Sequence, residues 1–154
     1  MSTKVFKSEL SELQLKYKKS EFSKIKIASS SDTFQVVRPL FNQDTIGYTE
    51  ETVVLYLNNA NKTLGYLKHS TGGTGQTIVD IKTILSVALI SGAVCLALAH
   101  NHPSGQMFPS KDDINITNKL KSACDIVGLR LLDHVIVSGE DDFSYYSFCD
   151  EGTL

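Results

Sequence analysis

Short apolar runs and amphipathic stretches follow one another along this chain, and their two periods separate strands from helices. Residues 11–19 (SELQLKYKK) alternate, with Leu13, Leu15 and Tyr17 on one face, which predicts a strand. Ser29-Ser30-Ser31-Asp32 predicts a linker ending in a helix cap. A helix is expected over 33–41, with Phe34, Val37 and Phe41 inward and Pro39 straining or ending it. After a polar loop at 42–49, TVVLYL (52–57) predicts a strand. An Asn-rich turn at 58–62 and a partner strand at 63–70 complete a hairpin. The glycine-rich stretch 71–76 (TGGTGQ) reads as a loop without the GxxxxGK[ST] pattern of a phosphate loop.

Thr83 to Ala99 is 17 residues without a charge, the lower limit of a membrane span. Ser91-Gly92 interrupts it and no basic cluster flanks it, so a helix followed by a strand is the better reading. Asp80 would cap a helix with Ile81, Ile84, Leu85, Ala88 and Leu89 inward. Ala93 to Ala99 would be a strand covered on both faces, followed by a loop from His100 to Pro109. A helix from Ser110 to about Val127 carries Ile116, Leu120, Ala123, Cys124 and Val127 at a 3.6 period, and Gly128 stops it. Leu129–Ser138 and Phe143–Phe148 read as the last strands. Alternating strands and helices predict an α/β sandwich with a mixed sheet. Residues 1–30 are expected to form an N-terminal strand and linker, and 31–154 the domain.

Composition changes this picture little. A chain of 154 residues, 42% hydrophobic, is enough for one core. Three widely spaced cysteines make no disulfide framework and fit a reducing, cytoplasmic setting; Cys95 and Cys124 fall on apolar faces. The N-terminus has no apolar signal region. Charge is uneven: residues 1–26 hold seven Lys against three Glu, in a chain whose net charge is −2. That stretch is the one place for a nucleic-acid footprint, and a solvated lysine face is the better reading of it.

The chemistry concentrates in Ala99-His100-Asn101-His102-Pro103-Ser104-Gly105 and its continuation to Asp113, with the spacing H-x-H-x7-S-x2-D. Two His at i and i+2 of an extended chain project to one side. The strand's carboxyl end brings them to the rim of the sheet, where α/β folds bind ligands. A helix starting near Ser110 returns Asp113 to the same point. His100, His102 and Asp113 then make a three-ligand set, the number a catalytic zinc site uses. A carboxylate that is not a ligand must move the proton of the attacking water, and Glu50 and Glu51 are both candidates. Ser110 could hydrogen-bond a developing oxyanion, and with Asp113 it also spells a capping box. His134 fits a buried strand histidine or a partner that orients a ligand. Asn101 should face away from the cation and hold the loop.

These residues resemble the JAMM (MPN/JAB) zinc metalloprotease superfamily, and within it the bacterial RadC-like branch. The resemblance rests on the H-x-H-x7-S-x2-D run inside LAHNHPSG (98–105), on Glu50 to Asn58 (EETVVLYLN), on Ser70 to Gly73 and on Leu132 to Val137. It covers about residues 30–152. It implies a three-layer α/β/α sandwich with a mixed sheet, like that of cytidine deaminases. It implies Zn2+ held by His100, His102 and Asp113, with Ser110 assisting. It also implies Glu50 as general base, eight positions before Asn58. The implied activity is hydrolysis of a peptide or isopeptide bond by a metal-activated water. The alternative is a DNA-repair-associated or scaffold protein with this fold and no peptidase activity. Longer RadC proteins carry an N-terminal helix-hairpin-helix region, for which this chain has no room. A zinc deaminase would need H-x-E and P-C-x-x-C, and neither occurs here.

Overall fold

The computed structural model of the chain describes residues 24–71 and 79–154. The strand expected at 11–19 and most of the loop at 71–76 lie outside the described residues. Among the described residues, five strands form one mixed sheet: β1 (Glu51–Leu57), β2 (Thr63–Thr71), β3 (Cys95–His102), β4 (Arg130–Ser138) and β5 (Tyr145–Ser147), in the order β2-β1-β3-β4-β5. β3 and β4 run parallel and the other neighbours antiparallel. Helix α1 (Ser30–Val37) covers one face, and α2 (Ile81–Ser91) and α3 (Lys111–Ile126) cover the other. This is the expected three-layer sandwich.

Period-two alternation divides the core. Val53, Leu55, Leu57, Cys95, Ala97 and Ala99 meet Phe34, Val37 and Phe41 on the α1 side. Val54, Tyr56, Leu96 and Leu98 meet Ile84, Ala88, Leu120 and Cys124 on the other. Being covered on both faces explains why β1 and β3 are continuous apolar runs. β4 changes parity in its course. Leu96 pairs with Leu131 and Ala97 with Asp133, so Leu132 is the extra residue of a bulge. Beyond it, His134 lies opposite Leu98 on the α3 side.

The helix ends follow local chemistry. Ser29, not Asp32, is the cap of α1: its Oγ accepts the Asp32 N–H at 3.2 Å, and the Asp32 carboxylate accepts the Ser29 N–H at 3.0 Å. The α-helix ends at Val37 and a 3-10 turn spans Arg38–Leu40, because Pro39 offers no N–H to continue the ladder. Asp80 caps α2 as expected. Leu89 is turned out to 54% exposure and Val127 to 39%, so both leave the expected core: the apolar stripes stop at Ala88 and Cys124 as each helix reaches its end. Cys95 and Cys124 are buried and unpaired. Among the described residues, no helix is long and apolar enough to cross a membrane.

Two loops flanking the carboxyl end of β3 are held together at Gly139. A Cβ there would stand 2.6 Å from the Ile46 carbonyl oxygen and 2.7 Å from Pro103 Cα, both backbone atoms with little room to move. Gly139→Ala is therefore expected to cost about 1–3 kcal/mol of stability through overpacking. Gly65→Ala, where nothing lies within 4 Å, should change little. Urea unfolding of both variants checks this, and equal midpoints would contradict it.

Candidate metal centre

β3 runs past the expected end at Ala99 and continues through His102, because β4 pairs with it up to His102–Ser138. The Gly139 N–H then donates to the His102 carbonyl at 2.9 Å. Both histidines are therefore strand residues rather than loop residues. Their i, i+2 spacing puts them on the face toward α3, and Asn101 on the other. Asn101 Oδ1 accepts the Glu51 N–H at 2.6 Å, and its Nδ2 donates to the Ile46 and Thr49 carbonyls at 2.7 and 2.8 Å. All three bonds tie down the segment that carries Glu50. After His102 the chain turns at Gly105, whose φ of 69° suits glycine and whose N–H donates to the His102 carbonyl at 3.0 Å.

Ser110 caps α3 and forms the capping box with Asp113. Ser110 Oγ accepts the Asp113 N–H at 3.1 Å, and Asp113 Oδ2 accepts the Ser110 N–H at 2.7 Å. The box fixes the carboxylate so that it also faces the histidines. Asp113 Oδ1 is 3.2 Å from His100 Nε2, and Oδ2 is 3.4 Å from His102 Nε2. The two Nε2 atoms are 3.0 Å apart. Glu50 Oε1 stands alongside, 3.9 Å from His100 Nε2. Glu51, the other candidate, turns its carboxylate to the Asn42 N–H at 3.0 Å.

Glu50, His100, His102 and Asp113 form a group that could hold a metal ion. The spacing fits one. Two donors bound at about 2.0–2.2 Å to a tetrahedral ion lie roughly 3.3–3.6 Å apart. The protonation pattern fits as well. His102 Nδ1 lies 2.6 Å from the Gln106 carbonyl, which can only accept, so this nitrogen carries a proton and the neutral ring offers its lone pair on Nε2. The donor set is two imidazoles and one carboxylate, a combination that divalent transition metals accept. Gln106 and Thr117 were not singled out from the sequence; a backbone carbonyl has no sequence signal, and Thr117 reads as an ordinary helix residue.

Electrostatics point the same way. Burial works against ionising Asp113, but the facing His100 and His102 imidazoles outweigh it and hold the carboxyl well below the usual range. Burial also disfavours a charge on His102, and Asp113 and the Gln106 carbonyl overcome it, raising that imidazole. The site therefore attracts positive charge. It opens into a cleft of about 620 Å³ whose walls include Phe108, Pro109, Ser110 and Ile116. Arg38 pairs with Asp142 at 2.6 Å, so the acidic turn at 140–142 is partly neutralised and stands apart from this group.

His134 is buried beneath the site, with Nε2 2.8 Å from His100 Nδ1 and its ring stacked on Phe148 at 4.7 Å. Burial, reinforced by His100, lowers its pKa well below the ordinary value, so it folds neutral. The unfolded chain takes up that proton near pH 6.5 while the folded chain does not. Stability should therefore fall as pH drops below about 6.5, by up to about 1.4 kcal/mol per pH unit for this one proton. Urea unfolding of chelator-treated protein at pH 7 and pH 5 measures the loss. His134→Gln should show a shallower dependence, and an identical slope would contradict this assignment.

Comparison with known proteins places this geometry in a family. The RadC-like JAB domain matches residues 27–153. A UPF0758 protein of Flavobacterium johnsoniae is 42% identical over 127 residues, covering 82% of this chain and 53% of the relative. A UPF0758 protein of Porphyromonas gingivalis is 42% identical over 105 residues, covering 68% and 45%. One of Aquifex aeolicus is 34% identical over 145 residues, covering 94% and 59%. The chain thus spans about half the length of the curated relatives it matches. With its strand-borne histidine pair, capping-box aspartate and mixed five-stranded sheet, this chain belongs to the RadC-like JAB domain family.

Proposed function

We propose that this domain is a zinc-dependent hydrolase of the JAMM type that cleaves a peptide or isopeptide bond. The observation that carries the reading is the meeting of two imidazole Nε2 atoms and one carboxylate within 3.0–3.4 Å, with a second carboxylate 3.9 Å away. His100, His102 and Asp113 would hold the ion. Zinc bound there would acidify water toward a pKa of about 7 and polarise a carbonyl.

The remaining steps belong to the chain's own side chains. Glu50 Oε1 takes a proton from the attacking water and delivers it to the leaving amine nitrogen. Asn101, through the Glu51 N–H and the Ile46 and Thr49 carbonyls, keeps Glu50 in place for both transfers. The Ser110 hydroxyl, at the rim of the cleft, donates to the oxygen that gains negative charge. Phe108, 73% exposed, offers an apolar surface to a polypeptide beside the reacting group. A second reading, a nucleic-acid-associated scaffold without peptidase activity, draws on the lysine excess of residues 1–26. Its mark would be salt-dependent nucleic-acid binding with peptide turnover absent.

Purified protein should carry about one zinc per chain, and His100→Ala should lose it. Glu50→Gln should keep the metal and lose about 10²–10⁴-fold of turnover on linear and isopeptide-linked peptide libraries. Metal analysis and a cleavage assay check the two halves. Equal zinc in the parent and His100→Ala would refute the metal site, and full turnover by Glu50→Gln would refute the assignment of the base.

A further inference from the structure

We propose that Thr117 and His134 are positioning residues that lock His100 into the tautomer able to bind a metal. One chain of hydrogen bonds fixes where each proton lies. It begins at the Asp113 backbone carbonyl, which can only accept. Thr117 Oγ1 lies 2.6 Å from that oxygen, so the one hydroxyl proton points there. Thr117 Oγ1 is also 2.6 Å from His134 Nδ1. Having spent its proton, the hydroxyl must accept, so Nδ1 of His134 carries the hydrogen. A second proton on Nε2 would make a buried cation whose two hydrogen-bond partners, a hydroxyl and an imidazole, carry no negative charge, so Nε2 keeps its lone pair. That atom is 2.8 Å from His100 Nδ1, which must then be the N–H. The lone pair of His100 is thereby placed on Nε2, the atom 3.2 Å from Asp113 Oδ1.

The direction of every bond follows from the first, because a carbonyl has no proton to give. The circuit also closes: it starts on the main chain of Asp113 and ends opposite the side chain of Asp113. His102 reaches the same state by the shorter route through the Gln106 carbonyl. The fold supports the relay at both ends. The bulge at Leu132 turns His134 toward α3, and Phe148 stacks flat on its ring with planes 5° apart. Thr117 stands one helical turn after Asp113, so α3 supplies both the carboxylate and the origin of the relay. Without the hydroxyl, His134 is free to turn its proton to Nε2. His100 would then carry its proton on Nε2, aimed into the site where a ligand lone pair is needed.

This inference rests on the reading that His100, His102 and Asp113 hold a metal, and the test separates the two. Long-range 15N–1H spectra of the full chain, metal-free, report the tautomer of each imidazole. The parent should show His134 and His100 both protonated at Nδ1. Thr117→Val, which keeps the shape and removes the hydroxyl, should move His100 toward the Nε2–H form, and Thr117→Ser should restore the parent pattern. Zinc alone, titrated against a chromophoric chelator, should bind Thr117→Val about 10–100-fold more weakly than the parent, with Thr117→Ser near the parent. Parent protein with His100 protonated at Nε2 overturns the relay, whether or not any variant folds. So does weaker zinc binding in Thr117→Val without a tautomer change, since packing alone would then account for it. Absence of zinc binding by the parent would overturn the metal reading instead, while the spectra still decide the relay.

Discussion

Two imidazole nitrogens 3.0 Å apart, both set against one carboxylate, crowd three polar groups around a point that favours positive charge. The rest of the structure depends on holding that crowded cluster together. The cost is met by the sheet. β3 is buried along Cys95–Asn101; His100 is paired with β1 and β4 and His102 with β4, so the backbone of the histidines cannot move apart without breaking ladder bonds. Such a crowded donor set could hold a metal ion.

Several residues serve the fold and the site at once. Asp113 closes the capping box of α3 through Oδ2 and presents the same carboxylate to the histidines. A negative group in the first turn is favoured by the helix dipole, so the helix start and the site ask for the same residue. Asn101 is the strand residue between the two histidines, and by alternation it must face the opposite side. There it binds the chain that leads into β1 and so fixes Glu50 across the sheet edge. The strand thus places the two candidate ligands with its even positions and steadies the segment carrying the second carboxylate with its odd one.

How much of this was legible in the sequence varied with how local its cause was. The apolar runs that became β1 and β3, the period of α3, the cap at Asp80 and the stop at Gly128 are local, and the expected elements correspond to the observed ones. The H-x-H-x7-S-x2-D spacing is local too, and its three candidate ligands do converge. Composition and period could not choose between Glu50 and Glu51, because neighbours in a strand point opposite ways. The structure puts Glu50 beside His100 and Glu51 on the Asn42 N–H. The remaining features depend on tertiary contacts. β3 extends to His102 because β4 pairs there, and Leu89 and Val127 stay exposed although Ala88 and Cys124 near them are buried. The bulge at Leu132 has no marker in its apolar sequence, yet it sets the face on which His134 lies. Thr117 is indistinguishable from any helical threonine until His134 is seen against it.

The central claim is that His100, His102 and Asp113 surround a cation and leave one coordination position to solvent. Anomalous diffraction at the zinc edge, from crystals grown with zinc, addresses it most directly. The account predicts one strong peak about 2.0–2.2 Å from His100 Nε2, His102 Nε2 and an Asp113 carboxylate oxygen, with no fourth protein atom bound. No peak at that point, or a peak whose fourth partner is the Glu50 carboxylate, would contradict it.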